Sequence, residues 1–241
     1  MLPQQCDELR AVFEAHGYTV DEVVAAIGED AHRALGRNST VAARRALGDR
    51  NDPIAVLTTL WPLQQPVPRG AVERVLPGLV EPLLEAGILA TAGDDVCAEV
   101  DIRPYASDDG AGGWIVSDLS PNLDTLTTPV RPDFVLGVSS ASSTLAQLTV
   151  REPVRRALDL GTGCGVQTLH LARHAHSVVA TDINPRALTL ARLTLQLNHV
   201  EADLRLGSLY EPVAGERFDL ITTNPPYVMS PPRAEGERLT Y

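Results

Sequence analysis

The segment Asp159-Leu160-Gly161-Thr162-Gly163-Cys164-Gly165 constrains the fold of this chain more than any other. It stands between Arg156 to Leu160, which reads as a strand, and Gly165 to Ala175, which reads as a helix. A strand that turns into a helix through three glycines lets a ligand approach the backbone and points amide groups at an anion. The surrounding pattern repeats the alternation. Ser139 to Leu148 predicts a helix and Ser177 to Asp182 a strand, while Pro185 to Asn198 predicts a helix capped by Asn184. Leu204 to Leu206 and Phe218 to Thr222 supply two further strands. This order predicts half of a doubly wound α/β sheet over residues 130–241.

The glycine spacing also excludes. A dinucleotide turn of the form G-x-G-x-x-G needs glycine at position 166, where Val166 stands, so a nicotinamide cofactor loses support. Asp182 ends the second strand, and a carboxylate there can accept both hydroxyls of a ribose, which suits a nucleoside cofactor without a bridging pyrophosphate. The plainer reading of Asp182 is a turn acid at a strand end.

Residues 1–129 read differently, as short helices that stop at glycines. Thr19 with Glu22 resembles a capping box, and Asp52-Pro53 fits a helix start. From Pro68 to Tyr105 the order is that of a winged helix: a helix around Ala71 to Leu76, a turn at Pro77-Gly78, a second helix to Ala86, then extended segments. That second helix offers Glu81 and Glu85 and no arginine, so a scaffold or docking role is favoured over DNA reading.

Charge supports this division. The chain's net charge of −11 falls on residues 1–150, and the remainder is balanced. An acidic surface repels phosphate backbones at long range. Every basic residue is arginine, which excludes a catalytic lysine and the lysine of a Walker A loop. Cys6, Cys97 and Cys164 lie far apart and form no C-x-x-C pair. With no signal-peptide pattern and no apolar run of about 18 residues, a cytoplasmic location and no membrane partner are expected.

Asn224-Pro225-Pro226-Tyr227, directly after the last strand, decides the reading. Two prolines stiffen the loop and remove its donors. The Asn224 side-chain oxygen and the Pro225 carbonyl can together accept from one planar NH₂ group, on which Tyr227 can stack. With the glycine loop and Asp182, these residues resemble a class I S-adenosylmethionine-dependent methyltransferase of the N-P-P-Y type, the small methyltransferase domain. The likeness covers about Val130 to Tyr241 and is greatest to the release-factor glutamine N5-methyltransferases. Gly207-Ser208-Leu209-Tyr210-Glu211-Pro212 and Phe218-Asp219-Leu220-Ile221 correspond to the segments that precede the N-P-P-Y loop in that family.

The resemblance implies an S-adenosyl-L-methionine site lined by Gly161, Thr162, Gly163 and Gly165, with Asp159 near the methionine end and Asp182, with Ile183 next to it, on the ribose. The acid that the family places before Leu209 for the adenine amino group is Ser208 here, so adenine recognition falls to the Leu209 amide. It further implies that Asn224 to Tyr227 hold the substrate, a protein loop bearing a glutamine. It also implies three more strands than this chain supplies, so a sheet incomplete after its fourth strand is expected.

Two rival functions are a nucleic-acid base methyltransferase acting on an exocyclic amine, and a non-catalytic interaction protein with a vestigial methyltransferase fold. No metal is expected. His170 and His174, spaced as one helical turn, lack the glutamate of H-E-x-x-H and read as a solvated helix face. Cys164 has no evident base partner and reads as a small filler.

Overall fold

The computed structural model describes residues 3–125 and 129–225. The chain divides into two compact units, the first running to Pro129 and taking in Gln196–Asn198, the second formed by Val130–Leu195 and the residues from His199 onward.

Seven short helices build most of the first unit: α1 (Pro3–His16), α2 (Val20–Ile27), α3 (Glu29–Leu35), α4 (Val41–Leu47), α5 (Pro53–Leu60), α6 (Arg69–Val75) and α7 (Val80–Glu85). Helical spacing decides what they bury. In α1, Cys6, Leu9 and Phe13 share one face and are removed from water, and Gly17, at φ 65°, ends the helix. Thr19 Oγ1 accepts from the Glu22 amide at the start of α2, and Asp52 accepts from the Ala55 amide to cap α5. Strands β1 (Val67–Pro68), β2 (Leu89–Ala92) and β3 (Asp95–Ala98) form an antiparallel sheet in the order β1-β3-β2, next in sequence to α6 and α7. Strands β4 (Asp101–Ala106) and β5 (Gly112–Ser117) pair separately as an antiparallel hairpin.

An aromatic cluster centres this unit. The Phe13 ring stands 5.1 Å from Tyr18, 5.3 Å edge-on from Trp61 and 5.3 Å from Trp114. Trp114 Nε1 donates to the Tyr18 carbonyl at 2.8 Å, and the Tyr18 hydroxyl donates to the Ile102 carbonyl at 3.0 Å. The cluster thereby ties α1 to the β4–β5 hairpin through polar edges as well as ring faces.

The second unit is a parallel sheet with helices in its connections. Its elements are α8 (Ser140–Leu148), β6 (Val154–Leu160), α9 (Val166–Leu171), β7 (Ala175–Asp182), α10 (Pro185–Leu197), β8 (Asp203–Leu206) and β9 (Leu220–Thr223). Among the described residues the strand order is β8-β7-β6-β9, all parallel. Leu158, Leu160 and Val179 pack with Val213 and Phe218, while Ala157 and Val178 pack with Leu171. Among the described residues no helix is long and apolar enough to cross a membrane.

Several expected boundaries move, two of them with a visible cause. The helix after the glycine loop ends at Leu171 rather than Ala175, because Ala175 pairs with Val154 and already belongs to β7. The last strand begins at Leu220 rather than Phe218. Asp219 instead accepts the Arg155 and Arg156 amides on its carboxylate.

Because Phe13 touches three other rings in the centre of the first unit, truncating it leaves a cavity that its neighbours cannot fill. Phe13→Ala is expected to cost about 3–5 kcal/mol. Urea titration followed by circular dichroism will measure it.

Candidate active site

Parallel pairing brings four strand ends to one level. Leu160 pairs with Thr181 of β7 and with Thr223 of β9, and Asp182 pairs with Leu206 of β8. The next residues along the chain are Gly161, Ile183, Gly207 and Asn224, so four sequence-predicted segments leave the sheet side by side at its carboxyl edge. In open α/β sheets this edge is where ligands bind.

The glycine loop is held by backbone and carboxylate together. The Gly161 and Thr162 amides both donate to the Thr181 carbonyl at 2.9 Å. Gly163 donates its amide to Asp182 Oδ2, also at 2.9 Å. Gly165 opens α9 in the left-handed region at φ 86°, and a Cβ there would stand 3.3 Å from Ala191 of α10. Glycine is therefore favoured at this position on two counts.

Asp159 lies beneath the loop, 1% exposed. Its Oδ2 accepts from the Thr162 and Thr168 hydroxyls, each at 2.7 Å. Burial outweighs those donors and lifts its carboxyl to about 6.

Asp182 is half-buried, and its Oδ1 accepts the Asn184 amide at 2.9 Å. Asn184 does more than cap α10. Its Oδ1 accepts the Arg186 amide, and its Nδ2 donates to the Asp133 carbonyl, each at 2.9 Å. One side chain thus fixes the segment before α8 beside the Asp182 turn. Ile183 and Leu209 are largely exposed, at 66% and 69%, and Leu209 adopts φ 47°. Ser208 is half-buried, and its carbonyl accepts the Glu211 amide.

Asn224 and Pro225 come directly after β9. The Thr223 hydroxyl donates to the Leu160 carbonyl at 2.8 Å and joins this loop's root to that of the glycine loop. Pro226 and Tyr227 lie outside the described residues. Thr223 and Asn224 line a cavity of about 420 Å³ with Ser140, Ala141, Thr144, Leu145 and Leu148 of α8. Its lining carries no charge.

Sequence reasoning missed Gln167. This buried residue of α9 donates from Nε2 to the Ser142 carbonyl at 2.6 Å. Ser142 also forms a capping box with Ser139, so the first turn of α8 is closed on itself and anchored to α9. Helix periodicity carries no signal for a contact that spans 25 residues.

One other expectation changes. His174 lies past the end of α9, and His170 is 2% exposed, so neither sits on a solvated helix face. Among the described residues no cluster of three or more His, Cys, Asp or Glu could hold a metal. Cys164 is buried and its thiol is pushed up to about 11, which leaves it unreactive as a nucleophile at neutral pH.

Residues 137–234 match the family model of the methyltransferase small domain. The second unit carries a methyltransferase small domain. Residues 15–99 match a second model, described as a domain of unknown function (DUF7059). The chain is similar to the release factor glutamine methyltransferase of Geobacter sulfurreducens, 38% identical over 102 residues, which are 39% of this chain and 34% of that protein. The protein of that name from Xylella fastidiosa (strain Temecula1) is 47% identical over 79 residues, 31% of this chain and 28% of its own length. Ribosomal RNA small subunit methyltransferase C of Escherichia coli (strain SMS-3-5 / SECEC) is 31% identical over 110 residues, 44% of this chain and 32% of that protein. The chain spans about a third of the length of these curated relatives. Among solved structures, the T. thermophilus 16S rRNA N2 G1207 methyltransferase in complex with AdoMet and guanosine aligns with a TM-score of 0.44 and 23% identity, covering 68% of this chain and 46% of that one.

The methyltransferase domain offers S-adenosylmethionine a fitting cradle. A Cβ added at Gly161 or Gly163 would meet no atom within 4 Å, so the loop leaves open space where a ligand can reach its backbone. Asp182 keeps lone pairs for a further donor beyond the two amides it accepts. Ile183 and Leu209 supply exposed apolar surface.

Removing the Gln167 amide would take away the hydrogen bond that anchors the first turn of α8 to α9. Gln167→Leu is expected to lower stability by about 1–3 kcal/mol and to raise hydrogen exchange in residues 140–148, read by mass spectrometry.

Proposed function

We propose that this chain is an S-adenosylmethionine-dependent N-methyltransferase acting on a planar NH₂ group, with a protein glutamine side-chain amide as its substrate. The observation that carries this reading is the register Leu160 to Thr223, which roots the Asn224 loop beside the glycine loop. The resemblance of the Gly207 to Pro212 and Phe218 to Ile221 segments to the glutamine enzymes supports the choice of amide. So does the uncharged lining of the cavity at Asn224, which offers no cation to a phosphate.

Gly161, Thr162, Gly163 and Gly165 would hold the cofactor, with Asp159 toward its methionine end. Asp182 and Ile183 would take its ribose, and Ser208 and Leu209 its adenine. When bound, S-adenosylmethionine supplies a sulfonium-activated methyl group. The chain then has mainly to position. Asn224 Oδ1 and the Pro225 carbonyl accept the substrate's N–H bonds, fix the plane of the amide and aim the nitrogen lone pair along the line of attack. The same oxygens stabilise the positive charge that grows on nitrogen. By the resemblance, Pro226 would stiffen the loop and Tyr227 would stack on the amide plane.

Asp182→Ala removes the ribose partner and the acceptor for the Gly163 amide together. It should weaken cofactor binding by about 2–3 kcal/mol, measured by calorimetry. Asn224→Ala leaves the glycine loop intact, so kcat should fall by about 10²–10³ while cofactor affinity stays within a few-fold. Equal losses in both would assign Asn224 to the cofactor instead.

The substrate class is tested with labelled S-adenosylmethionine and cell extract. A protein substrate gives label in a glutamine-bearing protein, a shallow salt dependence and no effect of nuclease. Loss of label on nuclease treatment, with a methylated base recovered and activity falling steeply with salt, would instead assign the chain to nucleic acid.

A further inference from the structure

A proton site beneath the glycine loop can be inferred once that loop is assigned to a cationic cofactor, and the inference rests on that assignment. Under the loop, Asp159 Oδ2, Thr162 Oγ1 and Thr168 Oγ1 form a closed triangle with edges of 2.7, 2.7 and 3.1 Å. Every edge is within hydrogen-bond distance, and all three residues are buried. Each hydroxyl owns one proton. With the carboxylate ionised, both protons go to Oδ2, and the two hydroxyl oxygens face each other with none between them. A proton on Oδ2 completes the set. Oδ2 then donates to Thr168, Thr168 to Thr162 and Thr162 to Oδ2, so each oxygen donates once and accepts once.

We propose that the Asp159, Thr162 and Thr168 triangle is a proton-binding site, and that seating the cationic cofactor on the loop above it expels the proton to solvent. The charge balance is simple: a neutral carboxylic acid becomes a carboxylate, one proton passes to the buffer, and the new negative charge faces the arriving positive one. The surroundings favour the proton while the loop carries no cation. Burial withholds the water that an ionised Asp159 would need, and Asp182, across the loop, adds a like charge. The neighbouring Cys164 thiol stays protonated and contributes no charge. Against burial and Asp182 work the donors to the carboxylate, the Thr162 and Thr168 hydroxyls and the Thr168 amide, and the balance sets the Asp159 carboxyl at about 6, so the triangle gains and loses its proton within an accessible pH range.

The test is titration of S-adenosylmethionine into the intact protein by calorimetry between pH 5 and 7, in pairs of buffers with different ionisation enthalpies. Release should approach about one proton per site at pH 5 and decline toward zero at pH 7, with affinity falling about tenfold per pH unit below the midpoint. Asp159→Asn should abolish the release. Thr168→Val keeps the carboxyl but removes one donor to its ionised form, so release should persist to a pH higher by about half a unit to one unit. If Asp159→Asn does not fold, the Thr168→Val shift carries the test alone. Binding with a buffer-independent enthalpy and a pH-independent affinity, or release that survives Asp159→Asn, overturns the triangle and leaves the cofactor site standing. No binding at any pH overturns the cofactor site itself.

Discussion

Strand β6 is the element on which the second unit depends. It pairs with β7 on one side and β9 on the other, and its last four residues are buried. Because all its neighbours run parallel to it, their carboxyl ends align, and each must lead into a loop or turn on the same edge. Every candidate site residue from Gly161 to Asn224 is a product of that alignment. A slip of one residue in the register of β9 against β6 would exchange the faces of the β9 side chains and carry Asn224 away from the glycine loop.

The loop above β6 is positioned by acceptors rather than by apolar packing. Thr181 receives two amides through one carbonyl, and Asp182 receives two through its two oxygens. The donors come from residues 161, 162, 163 and 184, so the strand that ends in Asp182 orders both its own turn and its neighbour's. This division leaves the outward side of Gly161 and Gly163 open, since nothing packs there to hold the loop down. Rigidity and access are thereby obtained from opposite faces of the same few residues.

Local chemistry accounts for the parts of the fold that were legible in the sequence. Ser139, Asn184-Pro185 and Asp52-Pro53 mark helix starts because a short polar side chain reaches the amides of its own first turn, a contact contained within four residues. The glycine loop and the end of β9 were legible for a like reason: glycines in one case and prolines in the other interrupt a strand at its last residue. The end of α9 was not. Leu169, Leu171 and Ala172 continue an apolar pattern without a glycine or proline, and the chain leaves the helix because the His174 carbonyl accepts the Val154 amide and Ala175 joins β6. The links of Gln167 to Ser142 and Asn184 to Asp133 were equally hidden, since each joins residues far apart in sequence through a single hydrogen bond.

The aromatic cluster around Phe13 has a consequence for how this protein can be observed. The chain contains two tryptophans, and both Trp61 and Trp114 pack in that cluster. Intrinsic emission on excitation of indole therefore comes entirely from the first unit, where both rings are shielded from water. The methyltransferase domain is dark at those wavelengths. A melt monitored by indole emission follows the surroundings of this cluster, and a tryptophan placed in the second unit would give that domain its own optical signal.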